Sequence, residues 1–524
     1  MIAAGFHRPL AMSHRLLRST AITGGMTLLS RIAGMVRDIV FAGLIGAGAG
    51  VAADAFYVAF RIPNFFRRIF GEGAFSQAFV PVLSEYRTTR TEEETRAFAS
   101  HMTAAFATIL AIVTAAGMLA APLIIMALAP GFVDEPEKFQ LTVDMLRITF
   151  PYLFFISLVA MAAGLLNAYG RFAAAAFTPV LLNLCLIAAA LWLAPRLDVP
   201  VMALAWGVFF AGLIQLLFQF PFLARLRMLR WPRLRRDEGV GRVFRLMVPA
   251  IFGSSVSQIN MLVNTILASF LVTGSVSWLY YSDRLMEFPL GVFGIALATV
   301  ILPSLSREHA AKSPETFSRM MDWALRWVLI IGIPATVGLA LLAEPIIATL
   351  FRYGAFTDND VVMSAQALVV FALGLPALIL VKVLAPGFYA RHDTATPARI
   401  AAVAFGANIG LSLLLVFPLK HVGLALAITL AAYLNAGMLY RRLRREQVYA
   451  PRQGWLALIV KVGLAVAAMG LLLCCVRGEL PMWLALGPSQ RVLQLSIWIV
   501  TGFLVYVVIL RVAGIRLTDL RMKE

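Results

Sequence analysis

Apolar runs long enough to cross a bilayer recur from one end of this 524-residue chain to the other. A helix needs about 20 mostly apolar residues to span the hydrocarbon layer. Twelve segments meet that need: 21–47, 101–129, 141–168, 174–194, 199–224, 246–273, 321–351, 361–389, 396–418, 421–440, 455–476 and 492–513. Two more, 54–86 and 277–305, are apolar on one side and carry several charges; read as spans lining something polar, they bring the total to fourteen. Only 14% of the residues are charged, against roughly 25% in soluble chains, and the apolar content is continuous. Separate soluble cores, disorder and a soluble nucleic-acid binder are excluded. The expected fold class is an all-α polytopic membrane protein.

The formal charge of +18 has a membrane explanation. With the N-terminus inside, the basic clusters Arg225–Arg245, Arg441–Arg445 and Arg511–Lys523 fall in inner loops and the tail, while the outer loops hold six cations: Lys138, Arg196, Arg352, Lys420, Arg477 and Arg491. Short loops with this asymmetry orient a chain by the positive-inside rule, so both termini are read as cytoplasmic. The basic stretch before Thr20 leads into a full-length span without a small-residue cleavage site, the pattern of a start-transfer segment. Met12 offers a second start, leaving residues 1–11 as an extension. Cys185, Cys474 and Cys475 all lie in apolar runs and supply neither a disulfide framework nor a metal site.

The two charged spans align with one another. Ala55–Arg61 lies over Ser277–Asp283 at a separation of about 222 residues, and Pro81 to Ser84 falls on Pro303 to Ser306. Pro122 then matches Pro345, Gly131 matches Gly354, Tyr169 and Arg171 match Tyr389 and Arg391, and Pro179 matches Pro397. An even number of spans per half gives both copies one orientation, a parallel repeat about an axis along the membrane normal. The expected organisation is an N-terminal segment (1–20), a first six-span lobe (21–224), a basic linker (225–245), a second six-span lobe (246–440), a basic loop (441–454), two further spans (455–513) and a tail (514–524).

Eleven charges fall inside the first, second and eighth spans: Arg31, Arg37 and Asp38; Asp54, Arg61, Arg67, Arg68 and Glu72; Asp283, Arg284 and Glu287. Facing lipid, such a set would cost on the order of 15 kcal/mol, so these side chains must face protein or water. Internal pairing of Arg31 with Asp38, Arg68 with Glu72 and Arg284 with Glu287 is one arrangement. The other is a hydrated, Arg-rich site. Guanidinium forks bind phosphate oxygens bidentately and stay charged when desolvated, and Arg31, Arg67 and Arg284 are candidates to converge on a diphosphate from different helices. Pro63 and Pro289 are expected to kink their helices, a means of bending between inward- and outward-open states.

Several motifs carry a family likeness: Ser30-Arg31-Ile32-Ala33-Gly34-Met35-Val36-Arg37-Asp38, Asp54 through Asn64, Arg67 through Phe79, Ser277 through Pro289, and Lys382 through Tyr389. From about Leu16 to its C-terminus the chain resembles the MurJ/MviN family of bacterial lipid II flippases, within the superfamily of multidrug, oligosaccharidyl-lipid and polysaccharide exporters. The resemblance implies two six-helix lobes and two extra helices that form a groove for a polyprenyl tail. It implies transfer of lipid II, undecaprenyl-diphosphate-MurNAc-pentapeptide-GlcNAc, from the cytoplasmic to the periplasmic leaflet of the inner membrane. By the same likeness, Arg31, Arg37, Arg67 and Arg284 bind substrate, and Asp54 is the functional acid at the outer end of the second span. Arg61, Pro63, Arg68, Glu72 and Glu287 are gating or supporting residues. Some relatives hold a cation with acids on the eleventh helix, where this chain offers Asn408 and Ser412.

Three alternatives stand beside this reading: a flippase for another polyprenyl-diphosphate oligosaccharide of O-antigen type, a drug/cation antiporter, and a membrane enzyme acting on polyprenyl phosphates. An antiporter for cationic drugs calls for lone buried acids, whereas these spans are net basic. An enzyme calls for a metal-binding acidic pair or a catalytic His/Asp set on a substantial loop, and the longest inner loop has eight Arg with only Asp237 and Glu238. No phosphate-binding G-x-x-x-x-G-K-[ST] motif occurs. No cofactor or metal is expected, and the drive is expected from the membrane potential, an ion gradient or product removal. Expected partners are lipid II, membrane lipids and other cell-wall synthesis proteins, with no nucleic acid.

Overall fold

Proline and capping chemistry punctuate the apolar runs into helices. The structure, a computed structural model, describes residues 10–48, 50–68, 75–310 and 313–515. In chain order the helices are α1 (Leu10–Ile45), α2 (Val51–Phe66), α3 (Ser76–Thr89), α4 (Glu92–Leu119), α5 (Ala121–Leu128), α6 (Pro136–Thr149), α7 (Tyr152–Ala168), α8 (Phe172–Ala188), α9 (Met202–Arg225) and α10 (Glu238–Ser269). They continue as α11 (Ser275–Pro289), α12 (Ile295–Ala310), α13 (Pro314–Trp327), α14 (Ile333–Leu341), α15 (Ala343–Phe351), α16 (Asp358–Leu384), α17 (Pro386–Tyr389), α18 (Ala395–Arg445), α19 (Trp455–Val476), α20 (Leu480–Ala485) and α21 (Pro488–Val512). The described residues contain no strand.

Among the described residues, nine helices or joined helix pairs are long and apolar enough to cross a membrane. One of them, α18, is a hairpin of two spans. Its helical path breaks at Lys420, whose φ of 51° follows Pro418, and a side chain at Gly423 would overlap the carbonyl of Leu415 where the arms meet. The charged segments α1, α2 with α3, α10, and α11 with α12 supply the rest, compatible with the fourteen crossings read from the sequence.

The runs 101–129 and 321–351 are each interrupted near the same point. α4 stops at Leu119 and α5 restarts with Pro122 in its first turn; α14 stops at Leu341 and α15 restarts with Pro345 in its first turn. Proline lacks the N–H that a continuing helix needs but suits a first turn. Aligned prolines thus make aligned breaks in the two halves.

The chain divides into two compact units, one comprising Met1–Ile45 with Val51–Ile266 and the other Gly46–Gly50 with Leu267–Glu524. Most of α10, which opens the second half of the repeat, therefore packs with the first unit. In that unit α2 packs on α6, α1 on α8, and α7 on α9, α3 and α4. Stacked rings fill its core, with Phe75 and Phe106 centroids 4.3 Å apart and Tyr86 and Phe98 4.4 Å apart. The basic segment between α9 and α10 and the first turns of α10 are fastened to α3 and α4: Arg230 pairs with Glu93 at 2.7 Å, Arg242 of α10 with Glu85 at 2.8 Å, and Ser100 donates to the Trp231 carbonyl at 2.9 Å.

In the second unit α16 packs on α11, α14 and α18, and α19 pairs with α21. Ile330, Val462, Leu473, Trp483 and Tyr506 form a core that seats α19 and α21, and the Tyr506 hydroxyl donates to the Ile330 carbonyl at 2.6 Å. Asp322, buried in α13, ties down the loop before α19. It accepts from the Tyr449 hydroxyl at 2.9 Å and from the Trp455 indole at 2.7 Å, and pairs with Arg326 at 2.7 Å.

Candidate functional site

In the first unit the charges of α1 and α2 divide into those bound in the protein interior and those near its surface. Asp38 was a candidate partner for Arg31, seven residues away on the same helical face. Its guanidinium partner is instead the adjacent Arg37, whose Nη2 and Nε lie 2.6 and 3.0 Å from Asp38 Oδ1. The remaining end of Arg37 donates to Asn183 Oδ1 of α8 at 3.1 Å, and the Asn183 amide donates to the Ser30 carbonyl at 3.0 Å. Asn183 thus closes a network on α1 that turns the Arg37 fork toward its neighbour. Arg37 is 7% exposed. Of the four arginines expected to bind substrate, it is the one whose guanidinium is occupied in this buried network. Arg31 is half-buried and makes no ion pair among the described residues.

Asp54, in the first turn of α2, is 1% exposed, and the Lys138 ammonium lies 3.6 Å from its Oδ2. Lys138 is fully buried as the third residue of α6, 3.4 Å from Glu135 and 4.2 Å from the centre of the Phe132 ring. Counting it as one of six outer-loop cations missed this role, because a lone lysine three residues into a helix carries no sequence mark of burial. Further along α2, Arg61 donates to Thr265 Oγ1 of α10 at 2.7 Å. Pro63 is buried within the helix, and half-buried Arg67 donates from Nε to Asn64 Oδ1 at 3.1 Å. Arg68 is exposed. Glu72 lies outside the described residues.

In the second unit Asp283, Arg284 and Glu287 share the open face of α11, whose other face buries Trp278, Tyr281, Ser282 and Leu285. Arg284 and Glu287 are 3.5 Å apart and both partly exposed, a geometry in which an ion pair contributes little. Beyond Pro289 the chain continues as a π turn, Leu290–Gly294, a common site of helix distortion.

Asp360, also missed in the sequence, anchors the start of α11. It is fully buried as the third residue of α16, and its Oδ1 accepts from the Trp278 indole and from the Gly48 backbone, each at 2.7 Å. Its Oδ2 accepts from the Thr357 backbone at 2.9 Å in a capping box. A side chain at Gly48 would come within 2.7 Å of both Asp360 and Trp278, so glycine permits this close approach. The Thr357–Asp360 spacing is a legible capping signal; the Trp278 and Gly48 contacts are not. Lys138 and Asp360 thus take the same helix position in the two halves, with opposite charge, each holding the start of the charged helix in its own unit.

The second unit also contains an apolar hollow of about 690 Å3. Trp327, Ile331 and Leu339 line one side, Met469 and Leu473 of α19 another, and Phe503 and Tyr506 of α21 a third. Arg511 stands at its margin. Gly338 faces open space here, with no atom within 4 Å of where a Cβ would lie. An elongated apolar ligand with an anionic end fits these walls and this cation.

A family model described as lipid II flippase MurJ matches residues 42–486. The chain is 45% identical over 520 residues to a probable lipid II flippase MurJ of Vibrio cholerae, covering 98% of this chain and 99% of that one. It is 46% identical to a probable lipid II flippase MurJ of Haemophilus influenzae, covering 95% and 100%, and 43% identical to the lipid II flippase MurJ of Burkholderia cenocepacia, covering 88% and 90%. Among solved structures, a lipid II flippase MurJ in an inward closed conformation matches with a TM-score of 0.77 at 26% identity, over 93% of this chain and 98% of that one. An inward-facing multidrug transporter of the MATE family matches with a TM-score of 0.64 at 16% identity over 80% and 95%, a likeness of fold alone.

Proposed function

The chain belongs to the lipid II flippase MurJ family, and from that premise we propose that it moves lipid II from the cytoplasmic to the periplasmic leaflet of the bacterial inner membrane, with both of its own termini cytoplasmic. It is an integral membrane transporter, not an enzyme. The full-length likeness to flippases carries this reading. The structure supports it through half-buried guanidiniums on α1, α2 and α11 and an apolar hollow between α14, α19 and α21.

Arg31, Arg67 and Arg284 bind the diphosphate, since desolvated guanidinium forks suit its oxygens. Arg37 holds α1 through Asp38 and Asn183. Asp54 acts in gating, with Lys138 holding its carboxylate; Arg61, Pro63, Arg68, Glu72 and Glu287 support the helices that move. The polyprenyl tail lies in the hollow walled by α19 and α21. Alternating access carries the head group across, driven by the membrane potential, an ion gradient or product removal; the potential alone supplies about 2.3 kcal/mol for each elementary charge crossing 100 mV.

Complementation tests the proposal. In a bacterium depleted of its own lipid II flippase, this chain should restore growth, and Arg284→Ala should not, although the protein still accumulates in the membrane. Failure of the unaltered chain, with rescue of an O-antigen exporter defect instead, would move the substrate to another polyprenyl-diphosphate oligosaccharide.

A further inference from the structure

The ends of the α18 hairpin carry arginines that lipid II transport, as proposed above, does not use. Arg399 and Ile400 lie near the start of the first arm, and Met438, Arg441, Arg442 and Arg445 near the end of the second. The spacing of the latter four, i, i+3, i+4 and i+7, puts them on one helical face. They border a common hollow of about 370 Å3 with Arg399 and Ile400. All four arginines are exposed. Glu446 is engaged by Arg442 at 2.6 Å and by Arg391 at 2.8 Å. Among the described residues no carboxylate pairs with Arg399, Arg441 or Arg445.

Basic residues at a helix C-terminus complement its dipole, which accounts for cations on the second arm. It does not account for Arg399, near the positive N-terminal end of the first arm, turned to the same hollow. Like charges gathered around one space call for an anion in it. The apolar walls specify more. Ile400 and Met438 complete the hollow, and the faces continue away from the helix ends through exposed Val403 and Leu434. A ligand with a phosphate at the arginines and a hydrocarbon chain along these residues satisfies both halves. We propose that this hollow binds the phosphodiester head group of an anionic membrane lipid. Forked guanidiniums recognise the phosphate oxygens, as basic pockets between membrane helices do elsewhere. A free phosphate anion shares the head-group chemistry but lacks the chain.

The test uses the full chain in mild detergent, with bound ligand resolved by native mass spectrometry during titration with phosphatidylglycerol, zwitterionic phosphatidylcholine or inorganic diphosphate. Phosphatidylglycerol should bind at least about tenfold more tightly than phosphatidylcholine. R399A/R441A/R445A should weaken phosphatidylglycerol by about tenfold or more, and R399Q alone by about fivefold, from the attraction each surface arginine exerts on anionic lipid. R233A/R235A/R236A removes the same charge from the exposed segment between α9 and α10 and should leave affinity within about twofold of the unaltered protein. Should the triple variant fail to elute as a single species, R399Q decides. Equal binding of both lipids, or equal losses in the pocket and control variants, overturns the site. Displacement of phosphatidylglycerol by diphosphate at equal concentration overturns the lipid as its occupant. These outcomes are independent of complementation by the flippase.

Discussion

Replacing Lys138 with Met removes the ammonium beside Asp54 while nearly preserving side-chain length, and its cost follows from the geometry. The charged atoms are 3.6 Å apart and their side chains are 0% and 2% exposed. At an effective dielectric constant of about 20, the attraction at that distance is about 4.6 kcal/mol. Removing one partner of a buried pair costs about 3–5 kcal/mol, because the surviving charge keeps its desolvation penalty. K138M should therefore destabilise the first unit by about that amount. D54N should cost less, since Lys138 retains Glu135 at 3.4 Å. The double variant K138M/D54N removes both charges and should return to within about 1.5 kcal/mol of the unaltered protein. Thermal and SDS-induced unfolding of the four purified proteins, analysed as a double-mutant cycle, measures the coupling. Additive losses, or a K138M protein as stable as its parent, would refute the assignment of a buried ion pair to these residues.

Three further outcomes are expected. Trp278→Phe deletes one hydrogen bond to the buried Asp360 carboxylate and should cost about 1.5–3 kcal/mol, read by the same unfolding measurement; Asp360→Ala, which deletes the acceptor for three backbone or indole donors, should cost more. Gly338→Phe starts a ring toward the hollow beside α19 and α21 from a position where a Cβ meets no atom within 4 Å, so the protein should still accumulate in the membrane yet lose transport of lipid-linked substrate in the complementation assay; unimpaired growth would count against the hollow as the tail site. Hydrogen bonding from Arg391, reinforced by Arg442, holds Glu446 below the ordinary carboxylate range against its partial desolvation. A depressed value means that its stabilising contribution is present above the unfolded value near pH 4.3 and is lost as pH falls through the lower folded one. Glu446→Gln should flatten the dependence of melting temperature on pH below about 5.

The helices were legible where a local property decides them. The run 455–476 coincides with α19, Trp455–Val476, because both ends are marked by a change in apolar content. The breaks after Leu119 and Leu341 were less legible, since apolar residues continue through them and only a proline signals the restart. The charged motifs were enough to identify the family without a structure. Among the site residues, helical spacing placed Arg31 and Asp38 on one face but could not choose between Arg31 and Arg37 as the partner of Asp38. That choice rests on Asn183, which lies 146 residues beyond Arg37.

Membrane insertion, the repeated halves and family membership were determined by the sequence alone. Transfer of apolar side chains out of water sums over a window of neighbours, and aligned prolines and charges persist in linear order. Only tertiary structure decided that Lys138 is buried against Asp54, that Asp360 receives Trp278 and Gly48, and that Arg399 borders the same hollow as Arg441 and Arg445. Such pairings depend on ångström-scale distances between segments far apart along the chain, which no local periodicity encodes.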